Sequence, residues 1–168
     1  VICSVLGNRV REQSCNTSKR FFLAKSEPDF IWIRKEVSEF SQGIIIFREA
    51  YLDTAQFSKA SISARTMRML KQYIPGSVQD SYMALDEEFM EPKPKVVNGF
   101  VTDYAIELRG LWDVENDFMG GPYVSYTFTD KENEHIITAF GYVYNPNKDK
   151  RNLLRQVEAI LYSTKFTD

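Results

Sequence analysis

The strongest constraint in the chain is a strict two-residue alternation over residues 103–115. Tyr104, Ile106, Leu108, Gly110, Trp112 and Val114 fall on one side; Asp103, Ala105, Glu107, Arg109, Leu111, Asp113 and Glu115 fall on the other. Successive strand side chains point to opposite faces, so this period fits a long strand and no helix. The first set is nearly all apolar and the second mostly charged. Such a strand needs partner strands on its edges and a cover over its apolar face.

The flanking segments supply both. Phe30 to Val37 and Gly43 to Tyr51 read as two strands of a hairpin. Ser81 to Asp86 reads as a short strand. Val124, Tyr126 and Phe128 alternate with Ser125, Thr127 and Thr129, and Ile136 to Tyr144 is apolar on both sides, as in a central strand covered on both faces. Pro92 and Pro94 break the chain before the long strand. Two helices complete the pattern. Phe57, Ala60, Ala64, Met67, Leu70 and Ile74 recur at steps of three and four, with Asp53 and Gln56 as a capping box, Ser58 as a rival start, and Pro75-Gly76 as a stop. The second runs from about Asp149 to Thr164, with Leu153, Leu154, Val157, Ile160 and Leu161 as its stripe.

Short turns between consecutive strands make them largely antiparallel. The expectation is an α+β fold: an antiparallel sheet of about six to seven strands packed against two main helices. At 168 residues the chain suits one domain. A domain of that size buries roughly 70% of the surface its unfolded chain exposes, so it needs no disulfide or metal. Residues 1–20 read as an irregular N-terminal arm or the remnant of a preceding segment, and 21–168 as a single α+β domain. The start at Val1 suggests a piece of something longer.

A net charge of −2 supplies no basic excess for phosphate contacts, so nucleic acid is not an expected partner. No apolar stretch is long enough to span a membrane. Cys3 and Cys15 are the only cysteines and His135 the only histidine, so no zinc site of the usual kind assembles, and no metal or cofactor is expected. The two cysteines are open to either a disulfide or free thiols. Asn16-Thr17-Ser18 fits a glycosylation sequon.

The densest gathering of chemistry-bearing side chains is Trp112, Asp113, Asn116 and Asp117, ahead of Gly120-Gly121-Pro122. Asp113 and Asp117 are the residue types of acid–base catalysis; they equally suit a solvent-facing strand position and a turn. Trp112 falls on the apolar side of its strand and reads as a core anchor, while Trp32, beside Phe30, Arg34 and Glu36, reads as nearer a rim. Gly120 and Gly121 read as a turn with positive φ, because a strand follows and a phosphate loop needs a helix. Lys148, Lys150, Arg151 and Arg155 crowd the start of the last helix against its dipole, which marks Arg151 as a candidate anion or partner contact. Candidate binding residues are thus Asp113, Asn116, Asp117, Arg109, Trp32 and Arg151; none is assigned a catalytic role.

Phe30-Ile31-Trp32-Ile33-Arg34-Lys35-Glu36, Tyr73-Ile74-Pro75-Gly76, Arg109-Gly110-Leu111-Trp112, Asn116 to Pro122, and Lys150 to Gln156 resemble the C-terminal half of a bacterial domain family of unknown function. That family occurs in envelope lipoproteins of Gram-negative bacteria. The resemblance covers about residues 21–166 and implies a periplasmic, lipid-anchored location, although the lipid-bearing cysteine is not in this chain. The order of elements also resembles the PsbP-like α/β sandwich. Taken together, the expectation is a non-catalytic domain that binds a protein or small ligand. Two alternatives stand beside it: a carboxylate-dependent hydrolase with its site near residues 113–122, and a small-ligand carrier with an aromatic-lined pocket between helix and sheet.

Overall fold

A computed structural model describes residues 21–166 and the short strand Ser4–Val5. Cys3, Cys15 and the sequon lie outside the described residues. The elements in chain order are β1 (Ser4–Val5), β2 (Phe22–Glu27), β3 (Phe30–Glu36), β4 (Ser41–Ala50), a 3-10 turn (Thr54–Phe57), α1 (Lys59–Tyr73), β5 (Met83–Asp86), β6 (Lys95–Val97), β7 (Ala105–Val114), β8 (Gly120–Thr129), β9 (His135–Tyr144), α2 (Arg151–Tyr162) and β10 (Lys165–Phe166). This is an α+β fold built on one antiparallel sheet.

The sheet runs β2-β3-β4-β9-β8-β7-β5, with β6 beside β5 on the same edge of β7. Every ladder in it is antiparallel. It therefore has eight strands, more than the patterning suggested, because β2 and β6 carry no alternation. β2 is an edge strand with mostly exposed side chains, so no buried face imprints a period on it. β1 and β10 form a separate parallel pair.

One helix covers each face. On the α1 side, Phe30, Trp32, Ile45, Phe47, Leu108, Trp112, Tyr123, Phe140 and Tyr142 pack under Ile62, Leu70 and Ile74. On the α2 side, Ile31, Ile33, Ile44, Ile46, Val124, Tyr126, Phe128 and Val143 pack under Val157 and Leu161. Gly141 lets α2 settle on the sheet, since a Cβ there would collide with Val157. The charged side of β7 is consequently no open solvent face: Ala105 and Glu107 are buried beneath α2.

Both expected caps of the first helix are real. Asp53 and Gln56 form a reciprocal capping box on the 3-10 turn, and the Ser58 hydroxyl accepts from Ser61 N–H to start α1. The expected stripe is displaced, however. Leu70 and Ile74 are buried as expected, but Ala60, Ala64 and Met67 face solvent, and α1 buries Ile62, Ser63, Arg65 and Thr66 in their place. The Arg65 and Thr66 side chains broke the apolar count that hydrophobicity alone would follow. The β7–β8 connection also differs from expectation. Gly120, Gly121 and Pro122 already belong to β8, and the positive φ falls on Asn116 at 62°. Gly121 is required by crowding, since a Cβ would strike the carbonyl oxygen of Val143.

Candidate functional site

The α1 face of the sheet is longer than α1, and a cleft opens beyond the C-terminal end of the helix. Its volume is about 240 Å³. Trp32 from β3, Trp112 from β7 and Tyr142 from β9 form an aromatic wall, Met83 and Met119 add thioethers, and Ile74 to Ser77 close the helix side. Strand alternation places all three rings on one face. The Tyr142 ring lies across β4 only because residue 43 is glycine; a Cβ there would overlap the phenol.

The polar groups of the wall satisfy one another. Trp32 Nε1–H donates to the Tyr142 hydroxyl at 3.0 Å, and Trp112 Nε1–H donates to the Val143 carbonyl at 3.3 Å. The Trp112 and Tyr142 rings meet edge to face at 5.1 Å. Burial pushes the Tyr142 phenol up to about 12, against the opposing pull of the Arg34 charge and the Trp32 hydrogen bond. Arg34 stands at the mouth. Its guanidinium lies 4.7 Å from the Trp32 ring centroid and pairs with Glu36. Its Nε is buried with no hydrogen-bond partner among the described residues. The cleft thus offers an apolar aromatic interior with one guanidinium at its mouth.

The family model described as Domain of unknown function (DUF4837) matches residues 9–163. The chain belongs to this family. The match reaches upstream of the residue-21 start of the resemblance described above. No curated protein matches the chain.

In this DUF4837 domain the candidate residues go to different places. Trp32 is a cleft wall, and so is Trp112, in addition to its role in the core. Asp117 is at the rim: it accepts from the Ser77 hydroxyl at 2.7 Å and from Phe118 N–H at 2.7 Å. It shapes the β7–β8 turn and ties that turn to the segment after α1. Asn116 is exposed at the turn apex. Asp113 points to the opposite face of the sheet from Trp112. Burial raises its carboxyl pKa, and the nearby Asp86 and Glu115 charges add to the shift. It does not line the cleft, and no hydrogen bond joins it to Asp117.

Arg109 lies beneath α2. Its Nε and Nη2 donate to Glu107 at 2.9 and 3.0 Å, and it also pairs with Glu158 of the helix. The Tyr126 hydroxyl sits 2.9 Å from Glu107 and 2.8 Å from Glu158. Burial alone would raise Glu107, but the hydrogen bonds from Arg109 and Tyr126 outweigh it and hold the carboxyl below its usual range. This network fastens α2 to the sheet. Arg151 is exposed at the first turn of α2, where its backbone N–H donates to Asp149 Oδ1 at 2.9 Å.

Sequence reasoning missed Arg34, Tyr142, Met83 and Met119 as cleft residues. Arg34 was legible as the same-face neighbour of Trp32 on β3. Tyr142, Met83 and Met119 come from segments far apart in the chain, and only the strand order brings them together. The Asp130–His135 pair was missed too. Asp130 Oδ2 lies 2.7 Å from His135 Nδ1 across the β8–β9 turn, a contact that spacing alone does not signal.

Proposed function

We propose that this domain is a non-catalytic binding module that holds a small, partly aromatic anion in the cleft beyond α1. The carrying observation is Arg34: a guanidinium stacked on Trp32 at the mouth of an aromatic cleft. A carboxylate matches the guanidinium, and a ring matches Trp32, Trp112 and Tyr142. The volume is below the ~300–1,000 Å³ of pockets for drug-sized ligands, which favours a ligand of one or two rings. The exposed partner of Arg34, Glu36, is one a ligand carboxylate can displace at little cost.

Asp113 and Asp117 do not share the cleft interior, which counts against carboxylate catalysis there. The resemblance to envelope lipoproteins supports a periplasmic location through a lipid anchor, and an antiparallel sheet with a helix on each face supports kinship with the PsbP-like sandwich. We hold both as proposals.

The test uses the two tryptophans, both in the cleft wall. Titration with benzoate, phenylacetate or indole-3-acetate is expected to give saturable changes in tryptophan emission. Arg34→Gln is expected to weaken these acids about tenfold and to leave benzyl alcohol unaffected. The absence of any saturable change, or equal affinity in Arg34→Gln, overturns the proposal.

A further inference from the structure

A second cleft opens on the same face of the sheet at the other end of α1, with a volume of about 430 Å³. One wall is aromatic. The Phe57 ring meets Tyr51 at 6.0 Å and Tyr104 at 5.2 Å, both edge to face. Tyr104 is 47% exposed.

The facing residues are polar, and their free valences can be counted. Thr102 Oγ1 donates to the Tyr104 carbonyl at 2.8 Å and keeps its lone pairs. Asn133 Oδ1 accepts from the Thr129 hydroxyl at 2.7 Å, so the Asn133 amide N–H groups remain available as donors. Asp103 is exposed, and its carboxylate has no hydrogen bond or ion pair among the described residues. Asp130 borders the cleft but is fully engaged. Its Oδ1 accepts from Glu134 and His135 N–H at 2.8 and 3.2 Å, and its Oδ2 faces His135 Nδ1. Asp103, Asp130 and Lys131 all line the cleft, so its lining holds two carboxylates to one ammonium.

We infer that this cleft binds a neutral carbohydrate, through a single pyranose ring. A pyranose has one face of C–H groups and a rim of hydroxyls that both donate and accept. The Tyr104 face suits the C–H face. Asp103 and Thr102 accept from hydroxyls, and Asn133 donates to them. The excess of carboxylate over ammonium disfavours an anion, and the polar rim disfavours a purely apolar ligand. This site is independent of the Arg34 cleft.

The experiment is an amide NMR titration of the whole chain with glucose, galactose and N-acetylglucosamine. At least one sugar is expected to give saturable shifts at residues 54, 102–104 and 131–133, at millimolar concentration. Tyr104→Ala is expected to abolish them. Asp103→Asn, at an exposed side chain without a partner, leaves the fold intact and is expected to weaken binding about tenfold. Arg34→Gln leaves sugar binding unchanged. No saturable shift with any sugar, or shifts that survive both substitutions, overturns the inference.

Discussion

Tyr142 and Tyr123 form a matched pair of buried phenols on the α1 face of the sheet, 5% and 2% exposed. They differ in one respect. The Tyr142 hydroxyl accepts from Trp32 Nε1–H, whereas the Tyr123 hydroxyl has no partner among the described residues. Replacement by Phe keeps each ring and its aromatic contacts, including the Tyr123–Phe140 stack at 4.8 Å, and deletes only the oxygen. Tyr142→Phe leaves a buried indole N–H without an acceptor and is expected to cost about 1–3 kcal/mol. Tyr123→Phe removes a hydroxyl that is already desolvated and unpaired, so stability is expected to hold or to rise by about 1 kcal/mol. The variants should therefore differ by roughly 1–4 kcal/mol, or about 2–16 °C in Tm for a chain of this size. Urea unfolding followed by far-UV circular dichroism measures both, with unchanged m-values confirming that the same surface is exposed. Equal losses in the two variants would refute the reasoning.

Three further outcomes follow from the same geometry. The Tyr142 phenol is pushed up to about 12 from an ordinary value near ~10, so its share of stability is intact below pH ~10 and is lost as pH rises through ~12. Alkaline unfolding should show up to about 3 kcal/mol of that loss in the wild type and not in Tyr142→Phe. Glu107, held below its usual range, contributes stability above the unfolded carboxyl pKa that disappears as pH falls through the folded one. Glu107→Gln should cost about 1–2 kcal/mol at neutral pH, less than a fully buried pair because Arg109 is 42% exposed, and should flatten the acid limb of a stability–pH curve. Asn116→Gly should be near neutral and Asn116→Ala should cost about 1 kcal/mol, because position 116 holds a left-handed backbone; thermal unfolding distinguishes the two.

Legibility in the sequence tracked burial asymmetry. The β7 alternation was plain because its apolar side is buried along its length in the core on the α1 side of the sheet. The starts of the 3-10 turn and of α1 were visible, since capping needs only a side chain two or three residues away. β2 was silent because an exposed edge strand has no inside. The α1 stripe misled because Arg65 and Thr66, buried on the true face, do not register as apolar. Gly120 and Gly121 misled in the opposite way: their requirement is proximity to the Trp112 and Val143 carbonyls, and glycine in a sequence does not say whether φ or contact demands it. Of the Arg34 cleft, Trp32 was legible as a rim residue with Arg34 beside it. Its remaining wall depends on β9 lying between β4 and β8, which local pattern cannot specify.

That strand order also governs how the molecule comes together. β2-β3-β4 and β7-β8-β9 are each a local meander with short connections, and the ladder joining residues 41–50 to 135–144 is the seam between them. Local turns assemble each meander cheaply; the seam carries the large loop-closure cost and sets the pace of folding. The segment from Glu87 to Pro94, mostly exposed and lying outside the strands, is a natural cleavage point. One piece then keeps β2 to β5 with α1, and the other keeps β6 to β9 with α2; the short β5–β7 ladder crosses the cut as well. Each half of the DUF4837 chain would carry a finished meander and its own covering helix, and would present the other with an open strand edge to complete.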